Sequence, residues 1–172
     1  MRPWIIAGAI VALALSSLAP ARAQLDIING KPLMTLENQG LTMSQQEALE
    51  RITFQPFVPT TTYIEVALLP SFHGDDKDHP ENRGIGYEYT DGAHTYVLRQ
   101  WPKAGGSLDK YPATRPVGSC TDVHVILGSA QNPHGIGWAT QTLVFALQPD
   151  PPQDTRQLHA EFVRLVQHGA CR

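Results

Sequence analysis

The stretch Ser71 to Asn82, SFHGDDKDHPEN, gathers two histidines and four acids that could hold a metal ion. Two imidazoles and a carboxylate form a set suited to zinc, and zinc activates water for hydrolysis. Spacing argues against the standard arrangements. A calcium loop of the EF-hand kind needs oxygen ligands at alternate positions and a glycine at the sixth. Counted from Asp76, the fifth and sixth positions are Pro80 and Glu81. A helical zinc pair needs histidines four apart with a glutamate beside the first. His73 and His79 are six apart, and Gly74 and Pro80 oppose a helix. A loop could still fold both rings onto one ion, with Asp75, Asp76 or Asp78 as a third ligand. His73, Asp76, Asp78 and His79 therefore define a small metal-dependent hydrolase as the alternative function. The plainer reading of the stretch is a solvated connector between strands, because loop backbone needs water.

The other reactive side chains support no catalytic constellation. Cys120 and His124 share one face of a strand, but at strand rise they stand about 13 Å apart, too far for a nucleophile and its base. No serine occupies a G-x-S-x-G elbow. GSAQNPHG, from Gly128, lacks the lysine and the following helix of a phosphate loop. No carboxylate pair has glycosidase spacing. Nothing in the sequence requires a cofactor.

The aromatic residues offer binding rather than chemistry. Tyr87, Tyr89 and Tyr96 fall in one hairpin, with Trp101 at its end and Trp138 further on. These five residues either cap a core beneath a helix or form an exposed face for a ligand or partner.

Positioning these residues requires regular elements, and the sequence marks several. MSQQEALERITF reads as a helix in which Ser44 and Glu47 form a capping box. Ala48, Leu49 and Ile52 share one helix face, and Met43 can staple against Ala48. Thr60 to Leu69 is β-branched and apolar, and reads as a strand ended by Pro70. GIGYEYTDGAHTYVLRQ, Gly84 to Gln100, is a hairpin: Ile85, Tyr87 and Tyr89 alternate with Gly86, Glu88 and Thr90, and Asp91-Gly92 supplies the turn. Pro102 to Pro116 is a long loop by composition, and Val117 to Leu127 resumes strand character. IGWATQTLVFALQ supplies one or two strands, with Leu143, Phe145 and Leu147 facing one way. The prolines of PDPPQD end that strand at Pro149. Leu158, Phe162, Leu165 and Val166 then mark an amphipathic final helix, with Asp154 as its N-cap and Gly169 at its exit. This order never alternates strand with helix. The expected fold class is α+β, an antiparallel sheet packed against an N-proximal helix and a C-terminal helix.

The N-terminus reads as a secretory leader. Arg2 precedes an apolar run from Ile5 to Leu18, and Ala21-Arg22-Ala23 matches a signal-peptidase site. Cleavage there leaves 149 of 172 residues: a flexible lead-in over 24–40 and a single domain over 41–172. Without Arg2 and Arg22, 11 basic residues face 16 acidic ones, a net charge of −5. That balance opposes nucleic acid or an anionic membrane surface as a partner. No second apolar run has spanning length, so no membrane span is expected after cleavage. Export places the chain in the periplasm or outside the cell, where Cys120 and Cys171 would form a disulfide.

EALERITFQPFVP, GIGYEYTDGAHTYVLRQWP and GIGWATQTLVFALQ occur in an order similar to an uncharacterised bacterial extracytoplasmic domain family. That family is often attached to anti-sigma-factor-type membrane proteins. More distantly, the chain resembles modules of periplasmic lipoprotein-handling and envelope-stress proteins. The likeness covers roughly Leu41 to Gln167. It implies an exported, non-enzymatic module that binds a protein or a lipid-like ligand of the cell envelope. It assigns no catalytic residues. The chain lacks the cytoplasmic zinc-binding domain and internal membrane helix of such proteins, which argues against a direct sigma-factor role.

Overall fold

A computed structural model describes residues 27–28, 31–32, 40–60, 62–72, 79–128, 133–150 and 155–172. The leader, Asp154 and the 73–78 part of the histidine loop lie outside the described residues.

Alternation builds the sheet. Among the described residues, seven antiparallel strands form one sheet: β3 (Leu41–Thr42), β4 (Glu65–Leu69), β5 (Gly84–Thr90), β6 (Thr95–Pro102), β7 (Asp122–Gly128), β8 (Pro133–Ala139) and β9 (Leu143–Asp150). Their spatial order is β3-β4-β5-β6-β9-β8-β7. A separate two-stranded pair, β1 (Ile27–Ile28) with β2 (Lys31–Pro32), lies in the expected lead-in. Two α-helices occur among the described residues, α1 (Gln45–Leu49) and α2 (Thr155–Gln167). The class is α+β, dominated by strands.

Each helix boundary has a local cause. Ser44 Oγ accepts from Glu47 N–H, and Ser44 N–H donates to Glu47 Oε2 at 3.0 Å, so the capping box closes. The Ser44 hydroxyl, donating to Glu47 Oε2 at 2.7 Å, and the Ser44 N–H hold the Glu47 carboxyl below its ordinary pKa. Ala48 is fully buried, whereas Leu49, expected on the same face, is exposed. At the other end, Gly169 adopts φ +100°, a left-handed conformation that suits glycine, and the chain leaves α2 there.

Three strands are bounded differently from their sequence patterns. The strand expected from Thr60 begins only at Glu65. Phe57 N–H donates to the Gln100 side-chain oxygen at 2.8 Å, and Gln100 Nε2 donates back to Phe57 O at 2.6 Å. A buried side-chain amide thus replaces a neighbouring strand. Conversely, β9 continues through Pro149, where a strand end was expected. Its pairing with β8 stops at Leu147, so Pro149 is laddered on one side only and its missing N–H costs no bond. Val117 and Cys120 exchange backbone hydrogen bonds of 3.0 Å in a turn, which delays β7 to Asp122.

Register sorts side chains onto two faces. Tyr87 lies opposite Leu98, Tyr89 opposite Tyr96, Leu98 opposite Leu147, and Phe145 opposite Trp138. This face packs with Leu158, Phe162 and Leu165 of α2 in the main core. Cys120 and Cys171 are joined by a disulfide with Cα atoms 5.3 Å apart, tying the turn before β7 to the end of the chain. The opposite face carries Ala67, Val97, Arg99, Trp101, Ala146 and Ile126. No helix packs on it among the described residues. The chain crosses it instead, because β6 and β7 are consecutive in sequence but separated by β9 and β8 in space.

Candidate functional site

The tyrosine hairpin supplies the core rather than an exposed groove. Tyr87, Tyr89, Tyr96 and Trp138 are each at most 1% exposed. Trp138 stacks on Phe145 at 4.8 Å and donates its indole N–H to Ala170 O at 2.9 Å. The exposed-face expectation for these four residues is corrected because their strand parity points them into the main core, which the helices cover. Only Trp101, of opposite parity, faces the other side of the sheet.

The buried tyrosines still make polar contacts. Tyr89 O–H donates to Glu161 Oε1 at 2.6 Å, and Arg164 grips the same carboxylate with bonds of 2.6 and 2.7 Å. Arg164 also donates to Pro59 O at 3.0 Å. Burial and the Glu161 charge push the Tyr89 phenol far above its ordinary pKa, so it stays a donor. The Glu161 hydrogen bonds raise the Arg164 pKa. This cluster clamps α2 to the sheet and to the 56–64 segment.

The opposite face holds a half-open cleft of about 170 Å³. Arg99 and Trp101 of β6, with Ala146 and Gln148 of β9, form its floor. Phe72 stands on one side, and Leu108 and Tyr111 come from the crossing loop. Ile126 and Leu127 of β7 close the far rim. The lining is mainly apolar, with one polar end.

That polar end is built from buried groups. Arg99 is 4% exposed, Gln148 is also 4% exposed, and an Arg99 guanidinium N–H donates to Gln148 Oε1. Burial lowers the Arg99 pKa to about 10, while Asp150 and Glu88 pull it back up, so the group is cationic at neutral pH. The apolar end is fixed by rings. Phe72 meets Trp101 edge-on at 5.2 Å and 82°, and the Trp101 indole N–H donates to Pro70 O at 2.9 Å. Lys110 Nζ sits 5.3 Å from the Phe72 ring centre and 5.1 Å from that of Tyr111.

Glycines let the crossing loop come down onto the sheet. A Cβ at Gly137 would lie 2.7 Å from Ile126 Cγ2 and 3.0 Å from Leu108. At Gly84 it would lie 2.5 Å from Gln100 O and from the Trp101 ring. The signal in the sequence is the pair of strands GIGY and GIGW, whose alternate glycines flatten the face opposite the core.

His124 fastens the loop at the sheet edge. Its Nδ1 lies 2.9 Å from Tyr111 O and its Nε2 lies 2.7 Å from Asp122 Oδ1. Both neighbours are acceptors, so the ring satisfies both only when doubly protonated. Burial alone would lower its pKa; the Tyr111 carbonyl, Asp122 and Asp109 outweigh burial and raise it. Backbone bonds from Val125 N to Pro112 O and Thr114 N to Val123 O reinforce the same junction. Cys120 is in its disulfide and serves no nucleophilic role with His124.

Of the four metal-candidate residues, His73, Asp76 and Asp78 lie outside the described residues. His79 is exposed, with Nδ1 3.0 Å from Glu81 Oε1. The described residues contain no group of three or more His, Cys, Asp or Glu placed to hold a metal. None of their helices is long and apolar enough to cross a membrane.

Fold and site together define an α+β protein whose antiparallel sheet carries a helix-covered core on one face and a small cleft on the other. No protein-family model matches the chain, and no curated protein or solved structure is significantly similar to it.

Proposed function

We propose that this protein is an exported, non-enzymatic binding module whose ligand occupies the cleft between the sheet and the crossing loop. The observation that carries this reading is the apolar cleft with a buried Arg99–Gln148 pair at one end. Apolar walls with a few convergent polar groups are the usual chemistry of a ligand site. The leader-like N-terminus and the Cys120–Cys171 disulfide suit an oxidising compartment such as the periplasm or the cell exterior. The resemblance to envelope-associated domains agrees with a ligand or partner in the cell envelope. Among the described residues lining the cleft no nucleophile lies beside a base, which supports binding without turnover.

Screening small fragments by amide and indole chemical shifts tests this. Binding should move Phe72, Trp101 and Tyr111 and leave Trp138 unchanged. Ala146→Leu, which fills the floor, should abolish those shifts while the fold persists. Fragments that move only other regions would refute the cleft reading. Steady turnover of a bound fragment would refute the non-enzymatic part.

A further inference from the structure

The crossing loop is fastened at both ends and once between, and the fastening between can titrate. At its start Lys103 N–H donates to Thr142 O at 2.7 Å, and Lys103 Nζ donates to Thr140 O at 3.1 Å. On its far side Val125 N–H donates to Pro112 O and Thr114 N–H donates to Val123 O. Between these fixed points runs the strap 104–111. Among the described residues, the hydrogen bond that ties it to the sheet joins Tyr111 O to His124 Nδ1 at 2.9 Å. Leu108 adds an apolar contact; it is 3% exposed and lines the cleft together with Tyr111. Ser107, Asp109 and Lys110 are exposed. Gly105 and Gly106 leave the backbone free to pivot where the strap begins.

The charge on His124 decides whether the tie is kept. Its ring lies between two acceptors, Tyr111 O and Asp122 Oδ1. The cation donates to both, whereas the neutral ring has one N–H. A bond to a carboxylate is the stronger of the two, so the remaining proton stays on Nε2. The Nδ1 lone pair then faces the Tyr111 carbonyl oxygen, and the tie becomes a contact between acceptors. The other surroundings leave this balance in place. Burial disfavours the cation and Asp109 of the strap favours it. Lys110 lies over the Phe72 and Tyr111 rings. Arg115, beyond the Ala113–His124 bridge, is exposed. β8 presents uncharged Gly137 opposite His124.

We infer that residues 104–111 form a pH-operated strap over the cleft, held down by cationic His124 and released when the ring loses its proton. Release frees Leu108 and Tyr111, so the cleft wall loosens as pH rises. The strap goes beyond the binding reading, because it works in the free protein and its test needs no ligand.

Nuclear magnetic resonance on the disulfide-intact protein tests this. Ring nitrogen shifts of His124, followed through its titration, give the neutral tautomer: Nε2–H is expected, and Nδ1–H would overturn the inference. Tyr111 N–H, bonded to Leu108 O at 2.8 Å, reports the strap through its exchange rate relative to an unstructured chain at the same pH. Its protection should fall roughly fivefold across the titration, the effect of losing one net hydrogen bond. Low urea should leave that protection unchanged while lowering that of Leu98 in the main core, because local opening exposes little surface. Equal urea dependence would mean that Tyr111 opens only with the whole molecule, and the strap falls. Asp122→Asn separates a switch from a brace. The amide it introduces can donate to Nε2, so the neutral ring keeps Nδ1–H on Tyr111 O. Tyr111 protection should then hold its acidic value at every pH. Protection that falls in the variant as in the unaltered protein, or that is flat in both, overturns the inference. Should the variant fail to fold, the tautomer and the urea dependence of the unaltered protein decide.

Discussion

At the residue scale, the decisive feature is what each buried polar group faces. Tyr89 gives its proton to Glu161, which Arg164 also holds. Tyr89→Phe keeps the ring and leaves one buried carboxylate oxygen short of a donor. The expected loss is about 1–3 kcal/mol, measured by chemical denaturation. His124 behaves differently because its two acceptors favour the protonated ring. Its folded pKa is raised, so its contribution is complete below the unfolded value of about 6.5 and is lost as pH rises through the folded value. The urea midpoint should therefore fall as pH rises from mildly acidic to mildly alkaline, and Asp122→Asn should flatten that slope. An unchanged slope in the variant would show that Asp122 does not hold the ring. Asp91 has the opposite sign. Hydrogen bonds from Ala93 and His94 backbone N–H groups lower its pKa to about 2, so its contribution is present above the unfolded value and is lost on acidification towards 2.

Elements show how far local sequence reaches. The capping box at Ser44, the hairpin turn at Asp91-Gly92 and the exit at Gly169 each have a cause within a few residues, and each is readable in the sequence. The core faces are readable too, since Leu143, Phe145 and Leu147 keep the parity their alternation predicts. The failures involve distant partners. Gln100 binds the backbone of Phe57, 43 positions away, a pairing that no local pattern marks. Gly84 and Gly137 carry the corresponding prediction for the cleft face. Gly84→Ala would drive a methyl group against the backbone oxygen of Gln100, which cannot move without its strand. Gly137→Ala meets the flexible ends of Ile126 and Leu108. We expect Gly84→Ala to cost the larger share of the roughly 1–3 kcal/mol typical of overpacking. Gly137→Ala should chiefly alter the cleft, seen as shifts at Leu108 with a smaller change in melting temperature.

For the whole molecule, the disulfide and the strand order govern. Cys120–Cys171 closes a span of 51 positions and fixes the last turn of the chain beside β7. On the chain-entropy account, replacing both cysteines by serine should cost about 4 kcal/mol. In a chain of this size that lowers Tm by roughly 10 °C, read by thermal denaturation of the oxidised protein and the double variant. The cleft depends on topology at the same scale. Because β7 is laid down at the far edge and the chain returns through β8 and β9, residues 103–121 must cross one face of the sheet. That crossing brings Leu108 and Tyr111 over Arg99 and Gln148. By itself the sequence determined the local elements, the two-faced parity of each strand and the cysteine pair, because those depend on short-range periodicity and on there being just two thiols. Only the tertiary structure decided that the tyrosines lie in the helix-covered core and that a cleft opens on the other side. Alternation separates two faces, but strand order determines which one the helix covers and which one the loop crosses.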